Sequence, residues 1–442
     1  MPATGIVDYA TYRPYRRLDL TEVAAVAGGG GGKGTRPVAS YDEDTTTMAV
    51  AAARGCDLAG VSSLWFSTTT PAYVDKTNAT AIHAALRLDA ATPAFDLNGA
   101  VRSAVGALRA ALAGDGTALV VAADLRTGLP GSPDEAAGGD GAAAFVVGDG
   151  PVAEVVGWGS ATAEFLDRWR TPGAPASKLW EERFGEGQYV AVGRAAWDDA
   201  LKATGLAADE IDRVAVVGSH TRAGNQFAKG LTAEVVAAPA GTGFAGAAAP
   251  GLALAHLLDT TGPGRTVALV VLADGADVLV VRTTAAHQPR ETAEPAGAPI
   301  AYGTYLRWRG LLTTEPPRRP EPARPSASAA GRNTDWKFGF VGSRGDDGTV
   351  HLPPAAQDRR EQPMADATGT VVTFTIDRLA YSPSPPVVFA VVDFDGGGRL
   401  PVELTDVDPA DVAVGSRVEM TFRKLFTTDG IHNYFWKARP VR

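Results

Sequence analysis

Up to residue 312 the chain alternates short apolar runs with alanine-rich stretches, and this rhythm constrains the fold more than any single motif. Ser63–Phe66, Ala94–Leu97 and Ala118–Ala123 have the length and content of strands, while Ala79–Leu86 and Ser103–Leu112 read as helices. Strands alternating with helices predict a layered α/β architecture, a sheet covered by helices. Thr117–Gly128 (TALVVAADLRTG) followed by Ala142–Gly148 (AAAFVVG) is echoed by Thr266–Ala276 (TVALVVLADGA) followed by Val278–Arg282 (VLVVR). Each pair reads as a buried strand, a turn and a returning strand that closes one half of an internally duplicated domain.

The rhythm stops at Thr313–Arg332 (TTEPPRRPEPARPSASAAGR), whose composition suits an extended, partly polyproline spacer. Beyond it helices nearly vanish. Gly369–Asp377, Val387–Asp393, Arg417–Phe422 and Asn433–Ala438 are rich in β-branched and aromatic residues, and turns such as Asp395–Arg399 (DGGGR) separate them. A small β-barrel of about five strands is the natural closure for so many short strands.

With 442 residues, 45% of them hydrophobic and 21% charged, the chain has room for two or three domains of ordinary size. A net charge of -9 argues against a role in neutralising nucleic-acid phosphates. No run of 18 apolar residues occurs, and the N-terminal segment lacks a basic stretch followed by an apolar one, so a cytoplasmic protein with no membrane partner is expected. The single cysteine, Cys56, excludes a disulfide framework and any thiolate-rich zinc site. It follows an alanine-rich helix ending near Gly55, with no histidine beside it, and reads as a small packed thiol rather than a nucleophile. Gly28–Gly34 (GGGGGKG) lacks the Ser or Thr a phosphate-binding loop would place at Gly34, and reads as a surface loop.

Phe95–Leu108 (FDLNGAVRSAVGAL) resembles the strand-to-helix turn that carries the nucleophile in the thiolase superfamily. GIVDYATYRPYRRLDLTEVA from Gly5, DEDTTTMAVAAAR from Asp42 and GGDGAAAFVVG from Gly138 are similar to the 3-hydroxy-3-methylglutaryl-CoA synthase branch of that superfamily. The resemblance implies a duplicated αβαβα fold and a cysteine at a helix N-terminus, where the helix dipole favours the thiolate. Residue by residue, the chemistry it implies is missing. Val101 occupies the cysteine position, Thr68 in Ser67–Tyr73 (STTTPAY) stands for the acid/base glutamate, and Phe244 in Gly243–Gly246 (GFAG) stands for the oxyanion-site asparagine. Val217 or Gly218 takes the place of the histidine that polarises the thioester carbonyl, with His220 two or three residues late. Candidates for a relocated site are His220, Tyr73 and Asn98, with Arg102 as a CoA contact; a solvated loop histidine and a helix-surface arginine are the plainer readings of His220 and Arg102.

Gly339–Pro354 (GFVGSRGDDGTVHLPP), Val387–Leu400 (VVFAVVDFDGGGRL) and Gly430–Pro440 (GIHNYFWKARP) resemble the acyl-CoA-associated family that joins a zinc ribbon to an OB-fold. Tyr302–Leu312 matches the short helix preceding the ribbon. The cysteines are gone, and His351 alone cannot hold zinc, so a metal-free remnant is expected. The resulting expectation is a thiolase-like domain over 1–288, a helix and Pro-rich linker over 289–333, a degenerate ribbon over 334–368 and an OB-fold over 369–442. Its function is expected to be that of an accessory or scaffold subunit, a pseudoenzyme that binds or channels CoA thioesters as a homodimer or with a thiolase-type enzyme. The alternative is an acyltransferase or an aldolase-type, C–C bond-forming or retro-aldol-cleaving enzyme with a relocated active site.

Overall fold

The computed structural model describes residues 4–290, 297–321, 329, 331–358 and 360–442, so the middle of the Pro-rich segment lies outside the described residues. A ten-stranded sheet organises the N-terminal body. One half runs Ala94–Asp96, Val61–Ser67, Thr117–Asp124, Gly141–Asp149 and Thr4–Tyr12; the other runs Glu234–Val235, Arg213–Gly218, Thr266–Leu272, Ala276–Thr283 and Ala153–Ala161. Corresponding strands occupy corresponding places, so the echoed segments of the sequence are the matching antiparallel hairpins of the two halves.

Among the described residues, strands Thr4–Tyr12 and Ala153–Ala161 join the two halves of the sheet by pairing Gly5 with Glu154 and Ile6 with Ala153. Gly5 is required there because a side-chain carbon would run into the Ala153 carbonyl. Helices Arg102–Ala113 and Ala249–Asp259 form the middle layer, and Val105, Leu108, Leu254 and Leu258 pack in one core with strands of both halves. Between these helices lies an apolar cavity of about 30 Å³, lined by Ala104, Leu108, Phe145 and Leu254 among others. Sites so poor in polar partners stay dry. No helix among the described residues is long and apolar enough to cross a membrane.

The C-terminal strands Thr368–Asp377, Val387–Phe394, Arg399–Leu404, Ile431–Pro440 and Arg417–Thr428 close into a barrel in that order. Asp429 and Gly430, both with positive φ, turn the last hairpin, as Asp-Gly turns commonly do. Ahead of the barrel, Val341–Arg344, Val350–His351 and Arg360–Pro363 form a three-stranded sheet. Its donor set does not fit zinc. Ser343 Oγ (2.7 Å) and His351 Nδ1 (2.6 Å) both bond the Asp358 carboxylate, and no group of three or more His, Cys, Asp or Glu capable of holding a metal occurs among the described residues.

Barrel and body share a continuous core, in which Phe66 and Val121 of the body belong with Phe340, Phe422 and Trp436. The junction is polar at its centre. Helix Thr45–Ala53 opens with the Asp44 capping box, and the acidic run before it meets the barrel's cations. Arg423 binds Glu43 and Asp406, each at 2.5 Å, and Lys437 binds Asp42 at 2.9 Å and Glu403 at 2.6 Å. Tyr434 donates to Asp44 at 2.9 Å, and at the far end of the helix Arg54 donates to Met420 O at 2.8 Å.

Candidate functional site

Four chain segments converge where the strands of the first half end. Leu97 N–H donates to Phe66 O, Ser67 Oγ donates to Leu97 O, and Gly99 N–H donates to Thr68 O. These bonds tie the loop leading to Val101 to the end of the strand Val61–Ser67. Val101, half-buried, immediately precedes helix Arg102–Ala113, as the strand-to-helix resemblance implies. From the other half comes the loop Gly243–Ala248: Phe244 is pinned by backbone bonds to Ala137 and Gly139, while Ala104, Ala122 and Ala247 pack together. The structure therefore brings Thr68, the Val101 loop and the Phe244 loop to one place.

The polar centre of this place is Asp124, fully buried at the end of the strand Thr117–Asp124. Its Oδ1 accepts from Thr70 Oγ1 at 2.5 Å and lies 3.4 Å from Thr68 Oγ1. Its Oδ2 accepts from Thr69 Oγ1 at 2.6 Å and from Ala247 N–H at 2.9 Å. A carboxylate has about four lone-pair sites, so Asp124 is saturated. Gly246, at φ +51°, passes directly over this carboxylate, where a side chain would collide with it. Arg126 and Arg170 complete the cluster, both reaching Thr69.

The candidates from sequence fall into separate settings. His220 caps helix Thr221–Ala228: Nδ1 accepts from Ala223 N–H at 3.1 Å, which leaves Nε2 to donate to Glu182 O at 2.8 Å. Both ring nitrogens are thus engaged. Tyr73 turns to the barrel, where its hydroxyl accepts from His432 N–H at 2.8 Å and its ring lies 5.4 Å from the His432 ring. Asn98 Nδ2 reaches Asp96 at 3.3 Å, and its buried Oδ1 has no hydrogen-bond partner among the described residues. Arg102 spans to the second half of the sheet, binding Asp277 at 2.6 and 3.2 Å and Thr162 at 2.9 Å. Cys56 is packed, and burial pushes its thiol up to about 12.

Asp124, Arg126 and Arg170 are not among the candidates read from the sequence. An aspartate closing an otherwise apolar strand was a readable signal for the first. Arg170, in the loop after the short strand Arg168–Trp169, carries none.

A duplicated five-strand half on each side of two buried helices, followed by a closed five-stranded barrel, defines a thiolase-like α/β body joined to an OB-fold. The chain has hydroxymethylglutaryl-CoA synthase homologues over most of its length. The Aeropyrum pernix enzyme is 29% identical over 343 residues, 70% of this chain and 95% of that one. The Archaeoglobus fulgidus enzyme is 27% identical over 340 residues, covering 69% and 98%. Among solved structures, an HMG-CoA synthase complexed with CoA superposes with a TM-score of 0.59 at 16% identity, covering 71% of this chain and 91% of that one. The 3-oxoacyl-(acyl carrier protein) synthase III of Pseudomonas aeruginosa PAO1 gives 0.56 at 22% identity, covering 64% and 98%. Residues 361–423 match the family "ChsH2, C-terminal OB-fold domain".

Proposed function

We propose that this protein binds acyl-CoA thioesters as a non-catalytic, accessory subunit of an acyl-CoA-processing complex in the cytoplasm, presenting or channelling the thioester to a thiolase-type partner. The observation that carries the reading is Val101 at the head of helix Arg102–Ala113. An acyl-enzyme needs a thiolate there, and a valine supplies no lone pair. The neighbouring groups agree. The Thr68 hydroxyl, buried beside Asp124, lacks the carboxyl that a proton shuttle would use, and the Phe244 side chain has no polar atom to offer an oxyanion. Relatives named as CoA enzymes make a CoA thioester the natural ligand, and the exposed Phe95 on the edge strand Ala94–Asp96 supports pairing with a second subunit, in a homodimer or heteromer.

Calorimetric titration with acetyl-CoA, alongside turnover of a 3-hydroxyacyl-CoA panel, tests this. Binding without turnover is expected. Turnover that falls sharply in His220→Ala or Tyr73→Phe would overturn it in favour of an enzyme with a relocated site.

A further inference from the structure

Two guanidinium groups reach Thr69. Arg126 Nη1 is 3.4 Å from its hydroxyl. Arg170 Nη2 donates to the Thr69 main-chain oxygen and lies 3.4 Å from the same hydroxyl. Arg126 is only 7% exposed, with its guanidinium 5.8 Å from the centre of the Phe244 ring, which walls one side. Burial, and then the charge of Arg126, lower the pKa of the half-buried Arg170, while Asp124 and Asp134 act in the opposite direction.

The two carboxylates that face this pair, Asp124 and Asp134, are shared with a third guanidinium, that of Arg168. Asp124 is saturated by three threonine hydroxyls and the Ala247 N–H. Asp134 is bound by Arg168 and reaches Arg126 only at 3.9 Å. Among the described residues, Arg170 bonds to Thr69 and has no carboxylate at ion-pair distance. Arg126, Arg168 and Arg170 thus face two carboxylates, and an anion bound at the Arg126 and Arg170 guanidiniums offsets the positive charge that remains. The planar fork of arginine matches a carboxylate with two parallel hydrogen bonds. Thr69 and Phe244 are half-buried, so the place is open to a ligand from solvent.

We propose that Arg126 and Arg170 bind a carboxylate, with Thr69 beside them and Phe244 as the wall, and that this carboxylate is the free end of an acyl group carried as a thioester. The thioester rests on the function proposed above; the carboxylate site itself rests on the two arginines.

The test is calorimetric titration of the full-length protein with succinyl-CoA, butyryl-CoA, succinate and inorganic phosphate. The two thioesters differ at the end of a four-carbon chain, carboxylate against methyl. Succinyl-CoA is expected to bind at least tenfold more tightly than butyryl-CoA, and Arg170→Gln to bring the two affinities together. Arg170 is half-buried, and an unchanged melting temperature of the ligand-free variant shows that it folds. Arg126→Lys keeps the charge but loses the fork and is expected to narrow the preference as well. Equal binding of the two thioesters by the natural chain overturns this inference and leaves the proposed function standing. Binding of succinate but of neither thioester, lost in Arg170→Gln, upholds the carboxylate site and overturns the proposed function. Phosphate binding as tightly as succinate overturns the assignment to a carboxylate, and no binding of any probe overturns both.

Discussion

Replacing Arg423 by methionine tests how the barrel is held to the body. The guanidinium is fully buried, and its two partners, Glu43 and Asp406, have side chains that are 0% and 1% exposed. Deleting the cation leaves two carboxylates facing each other out of water, which should cost about 3–5 kcal/mol. If the 442 residues melt as one unit, with an unfolding entropy of roughly 2.1 cal/mol/K per residue, a loss of about 4 kcal/mol lowers Tm by about 4 °C. Were the barrel, Thr368–Pro440, to melt alone, the same loss would fall on about a sixth as many residues, and the shift would be severalfold larger. Urea denaturation followed by tryptophan fluorescence gives the free energy, and calorimetry gives the number of transitions. Neutralising the partners in the same chain, Arg423→Met with Glu43→Gln and Asp406→Asn, should recover most of the loss. A cost below about 1 kcal/mol in the single variant, the level of an exposed pair, would show that Arg423 does not hold the barrel to the body.

Three further outcomes follow from particular residues. Val101→Cys places a half-buried thiol at a helix N-terminus, so iodoacetamide should alkylate it faster than Cys56, whose pKa burial raises to about 12; peptide mapping that finds Cys56 the faster would contradict this placement. Asp124→Asn turns one oxygen, which faces two donors, into a donor itself and should cost about 1–3 kcal/mol in chemical denaturation, whereas an unchanged midpoint would show that Asp124 does not hold the strand ends together. Burial pushes the Asp42 pKa up, but Lys437 and Arg423 outweigh it and hold the carboxyl below its ordinary value. Its contribution is therefore complete above the unfolded value of about 3.9 and is lost as pH falls through the lower native value. Asp42→Asn should destabilise fully at neutral pH, with the gap from the natural chain closing in acid; a gap constant from pH 7 down to pH 2, roughly spanning the carboxylate range, would contradict the assignment.

The alternating rhythm gave away much of the body, because strands buried on both faces read as apolar runs and the helices between them are alanine-rich. Ala79–Leu86 and Ser103–Leu112 emerge as Ala79–Ala85 and Arg102–Ala113, and the echoed hairpins occupy matching positions. The longest helix, Glu182–Thr204, was not legible, and its glycines explain why. Gly185 lies against Asp167 and His220, and Gly193 against Phe227 and Leu272, so packing requires residues that weaken the local helical signal. The fifth barrel strand, Arg399–Leu404, escaped because Pro401 interrupts its apolar pattern.

The site was legible by resemblance only where a motif could be laid alongside. Val101, Thr68 and Phe244 could be placed that way, and their loops do meet. The junction could not, because Asp42 and Glu43 are matched with Lys437 and Arg423 nearly the whole chain away, and no local pattern announces such a pairing. The same holds for Arg126 and Arg170, which meet only at Thr69.

The proposed function requires that the protein take a CoA thioester without forming a bond to it. Mass spectrometry of one sample equilibrated with acetyl-CoA, recorded first under native conditions and then after denaturation, tests this most directly. Retained acetyl-CoA is expected in the native spectrum, and the unmodified chain mass after denaturation. An acetyl adduct that survives denaturation, or a native spectrum with no bound acetyl-CoA at any concentration, would contradict it.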